Sequence, residues 1–458
     1  MSKKNTRRDF IKTSAAVGAG VWVAGGATAK ASVSALEEIR FACIGIGGKG
    51  SSDSLAAANN GKVVAVCDID ESKLRKHKDK FPGATQYHDY RKMLEEKADS
   101  IDAVTISTPD HTHAVASLQA MRMGKHCFTQ KPLTHSIQEA RVMGEAAREA
   151  GIVTQMGNQG TALNSLRLSA AHIRNGAVGT VQEVHVWTNR PVWPQSLGLK
   201  IQEEPAPADI HWNEWIGPAK MRPYSPEIHP FKWRGFWEFG TGALGDMACH
   251  TLNMSFMALD LFNPTSVVAE CTEHDGNMYP KSSKITFEFP EYEGRPALKM
   301  FWYDGGELPP EELFEDCPLK TNSKPFESGA LIVGDEGRFF SPGDYGGEVR
   351  STGLVVDGEF IRQDKIEDQP EYVRSPGHFE EFAAAIKGEG KTVSNFPDYA
   401  GPLTETILLG NLAVWSGEKV NWDAENMQAE NATDEINKII RHEYHNGYSI
   451  EAAAVGAH

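Results

Sequence analysis

Six residues, Gly45-Ile46-Gly47-Gly48-Lys49-Gly50, have the types and spacing that hold a pyrophosphate. In a G-x-G-x-x-G turn between a strand and a helix, the first glycine lets the chain turn tightly. The second lets the backbone approach the phosphates, and the third lets the helix pack against the strand. The helix N-terminus then favours the negative charge. Alone the pattern is weak. Here the apolar run 39–44 leads into it, a helical stretch from about 51 to 59 follows, and a second apolar run, 63–67, ends at Asp68. An acidic residue at that place accepts hydrogen bonds from the adenosine ribose and repels a 2'-phosphate. NAD is therefore expected as the cofactor, with Gly45, Gly47, Gly48, Gly50 and Asp68 holding it. Lys73 and Arg75 on the next helix leave NADP open. The plain alternative, a glycine-rich turn without a ligand, does not explain the whole strand–turn–helix–strand–Asp unit.

The elements that must position this loop are read from the same stretch. Helical patterns near 72–81, 90–97 and 136–150 alternate with short apolar runs near 85, at 103–107 and at 126–129. Regular alternation with short connections marks a parallel sheet with helices on both faces. After Gly157 the strands change character. The run 181–187, and later 266–272, 284–289, 297–303 and 330–333, alternate apolar with polar residues. Period-two alternation implies a mostly antiparallel sheet with one covered face. Between them lies a loop-rich region, 189–242, crowded with Pro and Trp, and helical patterns return at 378–386 and 404–416. The expected fold is α/β: a Rossmann doubly wound parallel sheet over 38–157, then an α+β domain with an open, mostly antiparallel sheet over 158–458, serving substrate binding and oligomerisation.

A targeting signal precedes this fold. Thr6-Arg7-Arg8-Asp9-Phe10-Ile11-Lys12 followed by an Ala/Gly-rich run fits a twin-arginine signal over 1–31, with small residues for cleavage at Ala29 or Ala31. Export, to the periplasm or otherwise out of the cytoplasm, is expected. The run is too short and glycine-rich for a membrane span. A formal net charge of -16 argues against a nucleic-acid partner, because a phosphate backbone is held by clustered Lys and Arg. The six cysteines are scattered without a CxxC pair, so no disulfide framework is expected.

Four short motifs, in this order and separation, complete the reading: the glycine fingerprint, Thr108-Pro109 through His113, Gln130-Lys131-Pro132, and Gly245-Asp246-Met247-Ala248-Cys249-His250. With them the chain resembles the Gfo/Idh/MocA family of sugar and inositol dehydrogenases, which includes the exported glucose–fructose oxidoreductase. The resemblance implies that Lys131 sits by the nicotinamide and works with Asp246 and His250. Moving hydride from a carbinol carbon needs a base for the hydroxyl proton and a group that stabilises the alkoxide. The expected roles are His250 as general base, Lys131 as proton-relay or oxyanion partner, with these two exchangeable, and Asp246 as a ligand of the substrate hydroxyl. On a helix, Asp246 and His250 share a face at i and i+4. That spacing also suits zinc, but no second pair completes such a site, and no metal is expected. The chain departs from the family at Gln130, where relatives carry Glu. A neutral amide keeps a hydrogen bond but supplies no charge.

Thr108, Pro109, His113, Gln130 and Lys131 are expected to border the cofactor, and Asn158, at the domain crossover, the substrate. In the loop region Arg190, Lys232 and Trp237 are the substrate-pocket candidates, since aromatics with interspersed cations suit a sugar; most of the tryptophans there are expected in the core. The expected partner is a small carbohydrate or cyclitol, and a homodimer or homotetramer is expected through the open sheet. Because little free NAD is available outside the cytoplasm, the cofactor is expected to be tightly held. Two enzymatic classes follow: an oxidoreductase that cycles a retained NAD between substrates, and a redox-neutral glycoside hydrolase that oxidises, eliminates and re-reduces. A sugar-binding protein with a vestigial cofactor site is the third class, and it leaves Lys131, Asp246 and His250 unexplained.

Overall fold

The computed structural model describes residues 38–320 and 324–451. Six strands, β1 (Ile39–Ile44), β2 (Gly61–Cys67), β3 (Thr85–Tyr87), β4 (Ala103–Ile106), β5 (His126–Thr129) and β6 (Thr154–Met156), form one sheet in the order β3-β2-β1-β4-β5-β6. Every neighbouring pair is parallel. All four residues of β4 are buried, as a strand covered on both faces requires. The connecting helices are α1 (Lys49–Asn60), α2 (Glu71–His77), α3 (Tyr90–Glu96), α4 (Asp110–Arg122) and α5 (Ile137–Ala150). Asp70 and Asp89 cap α2 and α3 through their side chains, and Ser136 with Glu139 closes a capping box on α5. The strand order reverses between β1 and β4, so a crevice opens at their C-terminal ends.

After α6 (Asn164–Arg174) the chain builds a second sheet. Its strands are β7 (Val181–Trp187), β8 (Ser266–Cys271), β9 (Ser283–Phe289), β10 (Leu298–Tyr303), β11 (Gly329–Gly334), β12 (Arg338–Pro342), β13 (Gly353–Val356), β14 (Glu359–Arg362), β15 (Val420–Asp423) and β16 (Gln428–Ala429). They run in the order β14-β13-β12-β11-β7-β10-β9-β8-β15-β16, antiparallel except for β7 beside β10. Along β9 buried and half-buried residues alternate, the mark of one covered face. The connection from β7 to β8 carries α7 (Trp212–Ile216), α8 (Gly242–Thr251) and α9 (Asn253–Leu259). Part of the outer face is covered too: Trp187, Tyr303, Leu331 and Phe340 pack with Leu313, Phe314 and Phe326.

The C-terminal elements α10 (His378–Ile386), α11 (Gly401–Ser416) and α12 (Asp434–Ile440) stitch the two sheets together. Phe379 of α10 packs on the first sheet, its ring 5.7 Å from Phe41 and 5.0 Å from Phe128. Met156 N–H donates to Ser394 O at 2.9 Å. On the other side α11 props α8: Asn411 Nδ2 donates to Thr241 O at 2.9 Å. Gly410 is needed there, because a Cβ would lie 2.5 Å from Leu244 and 2.8 Å from Phe287. Among the described residues no helix is long and apolar enough to cross a membrane. The twin-arginine signal expected over 1–31 lies outside the described residues.

Candidate active site

The glycine loop follows β1. Gly45 adopts φ +74°, and a Cβ there would lie 2.6 Å from Ser107 O. A Cβ at Gly50 would lie 1.8 Å from Gly45 O, so α1 can approach β1 this closely only with glycine. Gly48, at φ +51°, faces open space, and as N-cap of α1 it has no side chain to bond the first-turn N–H groups. Ser51 N–H turns to Gly48 O at 3.2 Å, and the donors before it are left for an anion. Asp68 ends the second strand and braces the loop: Ile46 N–H and Gly47 N–H donate to its Oδ2 at 2.9 and 3.1 Å, and Asp70 N–H to its Oδ1 at 3.0 Å. Burial raises the Asp68 carboxyl above its ordinary value against the pull of these donors. Lys73 is engaged by Asp70 at 3.2 Å, which places two carboxylates and a neutralised lysine at the ribose end.

A cavity of about 630 Å³ runs from this end to the middle of the molecule, lined by Gly45, Gly47, Gly48, Asp68, Thr108, Pro109, Gln130, Lys131, Arg190, Arg234, Asp246 and His250 among others. Lys131 Nζ donates to both Oδ1 and the backbone O of Asp246, each at 2.8 Å. Arg234 Nε lies 3.5 Å from the same Oδ1. Burial alone would raise Asp246, but the charges of Lys131 and Arg234 outweigh it and hold the carboxyl below its ordinary value. His250 lies one turn further along α8, its ring 4.6 Å from Tyr345. Burial, then the Lys131 charge, push its imidazole well below the ordinary value, so the ring is neutral. His250 Nδ1 and Thr108 Oγ1 are buried without a hydrogen-bond partner, both on residues of the cavity wall. Loop, ribose-end carboxylates and unpartnered Thr108 fit a dinucleotide; Lys131, Asp246 and His250 fit a carbinol beside it.

Asp110, within the motif that runs from Thr108 to His113, is a wall residue. Its carboxyl is buried, accepts from Thr241 Oγ1 at 2.7 Å, and is pushed up to about 7 by burial, against Thr241, Lys131 and Arg234. Thr241 can fold back to reach it because residue 245 is glycine; a Cβ there would lie 2.1 Å from Thr241 Oγ1.

Gln130 donates through Nε2 to Asp53 Oδ2 at 2.7 Å, and Ser107 Oγ donates to the same oxygen at 2.8 Å. Lys49 pairs with Asp53 from α1. The amide at 130 is what a buried carboxylate such as Asp53 needs as neighbour.

The remaining expectations divide. Arg190 reaches the cavity and pairs with Asp344 at 3.5 Å. His113 is buried behind the wall, its ring nitrogens 2.8 Å from Pro132 O and Thr108 O, so it ties together the turns bearing Thr108 and Lys131. Three substrate candidates are not brought to the cavity. Asn158 is buried against Ser394, at 2.5 Å, and Gln159 takes the wall position. Trp237 is stacked on Tyr279 at 3.7 Å with Nε1 on Met278 O, because a large apolar ring with one donor is satisfied in a core. Lys232 is drawn to Glu227 at 2.6 Å. Sequence reasoning did not choose Arg234 or Tyr345 for the pocket.

The adenosine end is roofed by the second domain. Residues 209–211 dock on the loop after β2: Glu71 N–H donates to Asp209 O at 3.0 Å, His211 N–H to Ile69 O at 2.9 Å, and Asp70 bridges Ile210. The C-terminal segment clamps this strap, with Asn446 Nδ2 donating to Gly217 O and Ala219 O at 2.9 Å and His445 N–H to Pro218 O at 2.9 Å. Tyr448 reaches the cavity under Arg91, 4.7 Å from its ring. His88, His211 and Glu214 bring three potential ligand atoms within 4.8 Å there. The two imidazoles stack 3.8 Å apart and 3° from parallel, so their in-plane lone pairs do not converge on one ion.

Comparison with known proteins places this geometry. The profile of an oxidoreductase family, NAD-binding Rossmann fold, matches residues 39–158, and that of the same family's C-terminal alpha/beta domain matches 177–293. A levoglucosan dehydrogenase of Pseudarthrobacter phenanthrenivorans is 24% identical over 181 residues, 39% of this chain and 38% of that protein. A glycosyl hydrolase family 109 protein of Solibacter usitatus is 30% identical over 152 residues, 30% of this chain and 35% of that protein. The matched stretch thus spans well under half of either relative. The solved structure of the WlbA dehydrogenase from Bordetella pertussis in complex with NADH and UDP-GlcNAcA superposes with a TM-score of 0.57 at 16% identity, over 84% of this chain and 99% of that one.

Proposed function

The chain belongs to the Gfo/Idh/MocA oxidoreductase family, and on that premise we propose that it oxidises a hydroxyl of a sugar, glycoside or cyclitol with a tightly held NAD. The observation that carries this reading is the convergence of Lys131, Asp246 and His250 at one end of a cavity whose other end is the glycine loop and Asp68. Gly45, Gly47, Gly48 and Thr108 would hold NAD, which supplies the hydride acceptor. Asp246, fixed by Lys131 and Arg234, orients the substrate hydroxyl. Neutral His250 takes the hydroxyl proton, and Lys131 stabilises the alkoxide as it forms. The strap and its C-terminal clamp support tight retention, in keeping with an exported enzyme. A dimer or tetramer is part of the proposal. The match to a glycosyl hydrolase family 109 protein favours, as second reading, net glycoside hydrolysis through transient oxidation.

The test is the absorbance and fluorescence of the purified protein mixed with a panel of sugars and glycosides. A co-purifying nicotinamide that stays reduced with one sugar supports the oxidoreductase. A spectrum that returns to its start while free sugar accumulates from a glycoside favours the hydrolase. Failure to carry or take up NAD or NADP sinks both.

A further inference from the structure

The cavity continues past the reacting centre along a wall that hydroxyl oxidation alone leaves without a task. Val192 and Phe231 line it and are 61% and 46% exposed. Single exposed apolar side chains are ordinary. Two in the wall of one cavity, backed by the buried rings of Trp193 and Trp233, make a surface. It is a firm one: Trp193 Nε1 donates to Gln195 Oε1 at 2.7 Å, Gln195 Nε2 donates to Pro280 O at 2.8 Å, and the Trp193 ring meets Phe231 edge-on at 6.2 Å.

Arg234 measures how near this wall stands to the chemistry. Its guanidinium carbon lies 4.7 Å from the Phe231 ring centre and 4.3 Å from that of Trp233, while its Nε lies 3.5 Å from Asp246 Oδ1. One guanidinium spans the gap, so the wall stands a single side chain away from Asp246. The hydroxyls of a second bare sugar would lose water against Val192 and Phe231 without gaining partners. A flat apolar group stacks there at no such cost.

We infer that Val192 and Phe231, backed by Trp193 and Trp233, form a subsite for an apolar or aromatic aglycone, so that the preferred substrate is a glycoside carrying such a group. The inference rests on the proposed oxidation of a sugar hydroxyl at this site. The probes are paired 4-nitrophenyl and methyl glycosides of glucose and galactose, offered to the NAD-loaded full chain. Binding is followed by calorimetry and turnover by cofactor fluorescence. The aryl member of at least one pair is expected to bind about tenfold more tightly than its methyl partner, and Phe231→Ala to collapse that ratio toward one. Equal binding within both pairs, or an aryl advantage unchanged in Phe231→Ala and Val192→Ser, overturns the subsite. Aryl-selective binding that Phe231→Ala abolishes, with no cofactor reduced by any probe, upholds the subsite and overturns the oxidation reading instead.

Discussion

Replacing Asp110 by Asn tests the electrostatics of the active site most directly. The carboxyl is buried among Thr241, Lys131, Arg234 and Asp246, and burial pushes it up to about 7 from an ordinary 3.8. The folded protein therefore holds this proton more tightly than the unfolded chain does. Below pH 3.8 both states are protonated and folding incurs no cost from the group. Between 3.8 and about 7 the unfolded state ionises first, so the stability contributed by the proton is lost as pH rises, and above about 7 the loss is complete. At roughly 1.4 kcal/mol per tenfold change in proton affinity, the full loss is on the order of 4 kcal/mol. Asparagine still accepts from Thr241 Oγ1 and never ionises. Asp110→Asn is expected to match the wild type near pH 4 and to exceed it by up to about 4 kcal/mol at pH 8. Urea unfolding of the NAD-loaded protein at intervals from pH 4 to 8 measures the difference. Two parallel curves would refute the reasoning, because the wild-type slope would then arise elsewhere.

Lys131→Ala and His250→Ala are each expected to lower turnover by about 10² to 10⁴-fold with NAD still bound, read by single-turnover fluorescence and cofactor content; equal loss of NAD in both would mean that they serve the cofactor and not the hydroxyl. Gln130→Glu sets a second carboxylate 2.7 Å from Asp53 Oδ2; it is expected to cost about 1–3 kcal/mol in chemical denaturation at neutral pH, regained on acidification, and an unchanged midpoint would refute the Asp53 account. Gly50→Ala drives a methyl group into Gly45 O and is expected to cost about 3 kcal/mol and to abolish co-purification of NAD. Thermal unfolding and the absorbance of the purified protein report both.

Element limits were legible in the sequence where the pattern was regular: β1 and β5 span the residues their apolar runs mark, and β7 those its alternation marks. β6 was not legible, because two of its three residues are polar and bond to residues far along the chain. Thr392 Oγ1 donates to Thr154 O, and Gln155 Nε2 donates to His378 O. Short edge strands such as β14 and β16 have too few residues to show a period. Within the site, Lys131, Asp246 and His250 were legible through their motifs. Trp237 and Lys232 were chosen by residue type in a loop-rich stretch, where type does not tell which side chain faces the cavity. Arg234, two residues from Lys232, faces it, as Arg190 does.

The clamp over the adenosine end also imposes an order in time. Residues 441–451 are synthesised after both the crevice and the strap that they hold down, and domains form as units while the chain is still growing. The chain that carries the glycine loop and Asp68 is therefore made before His445 and Asn446 are there to fasten residues 217–219. Arg122 of α4 then grips the backbone of Ile450 and Glu451 and anchors the fastening to the first domain. The segment is a latch across the crevice, and a dinucleotide held as proposed would enter most easily before the latch shuts.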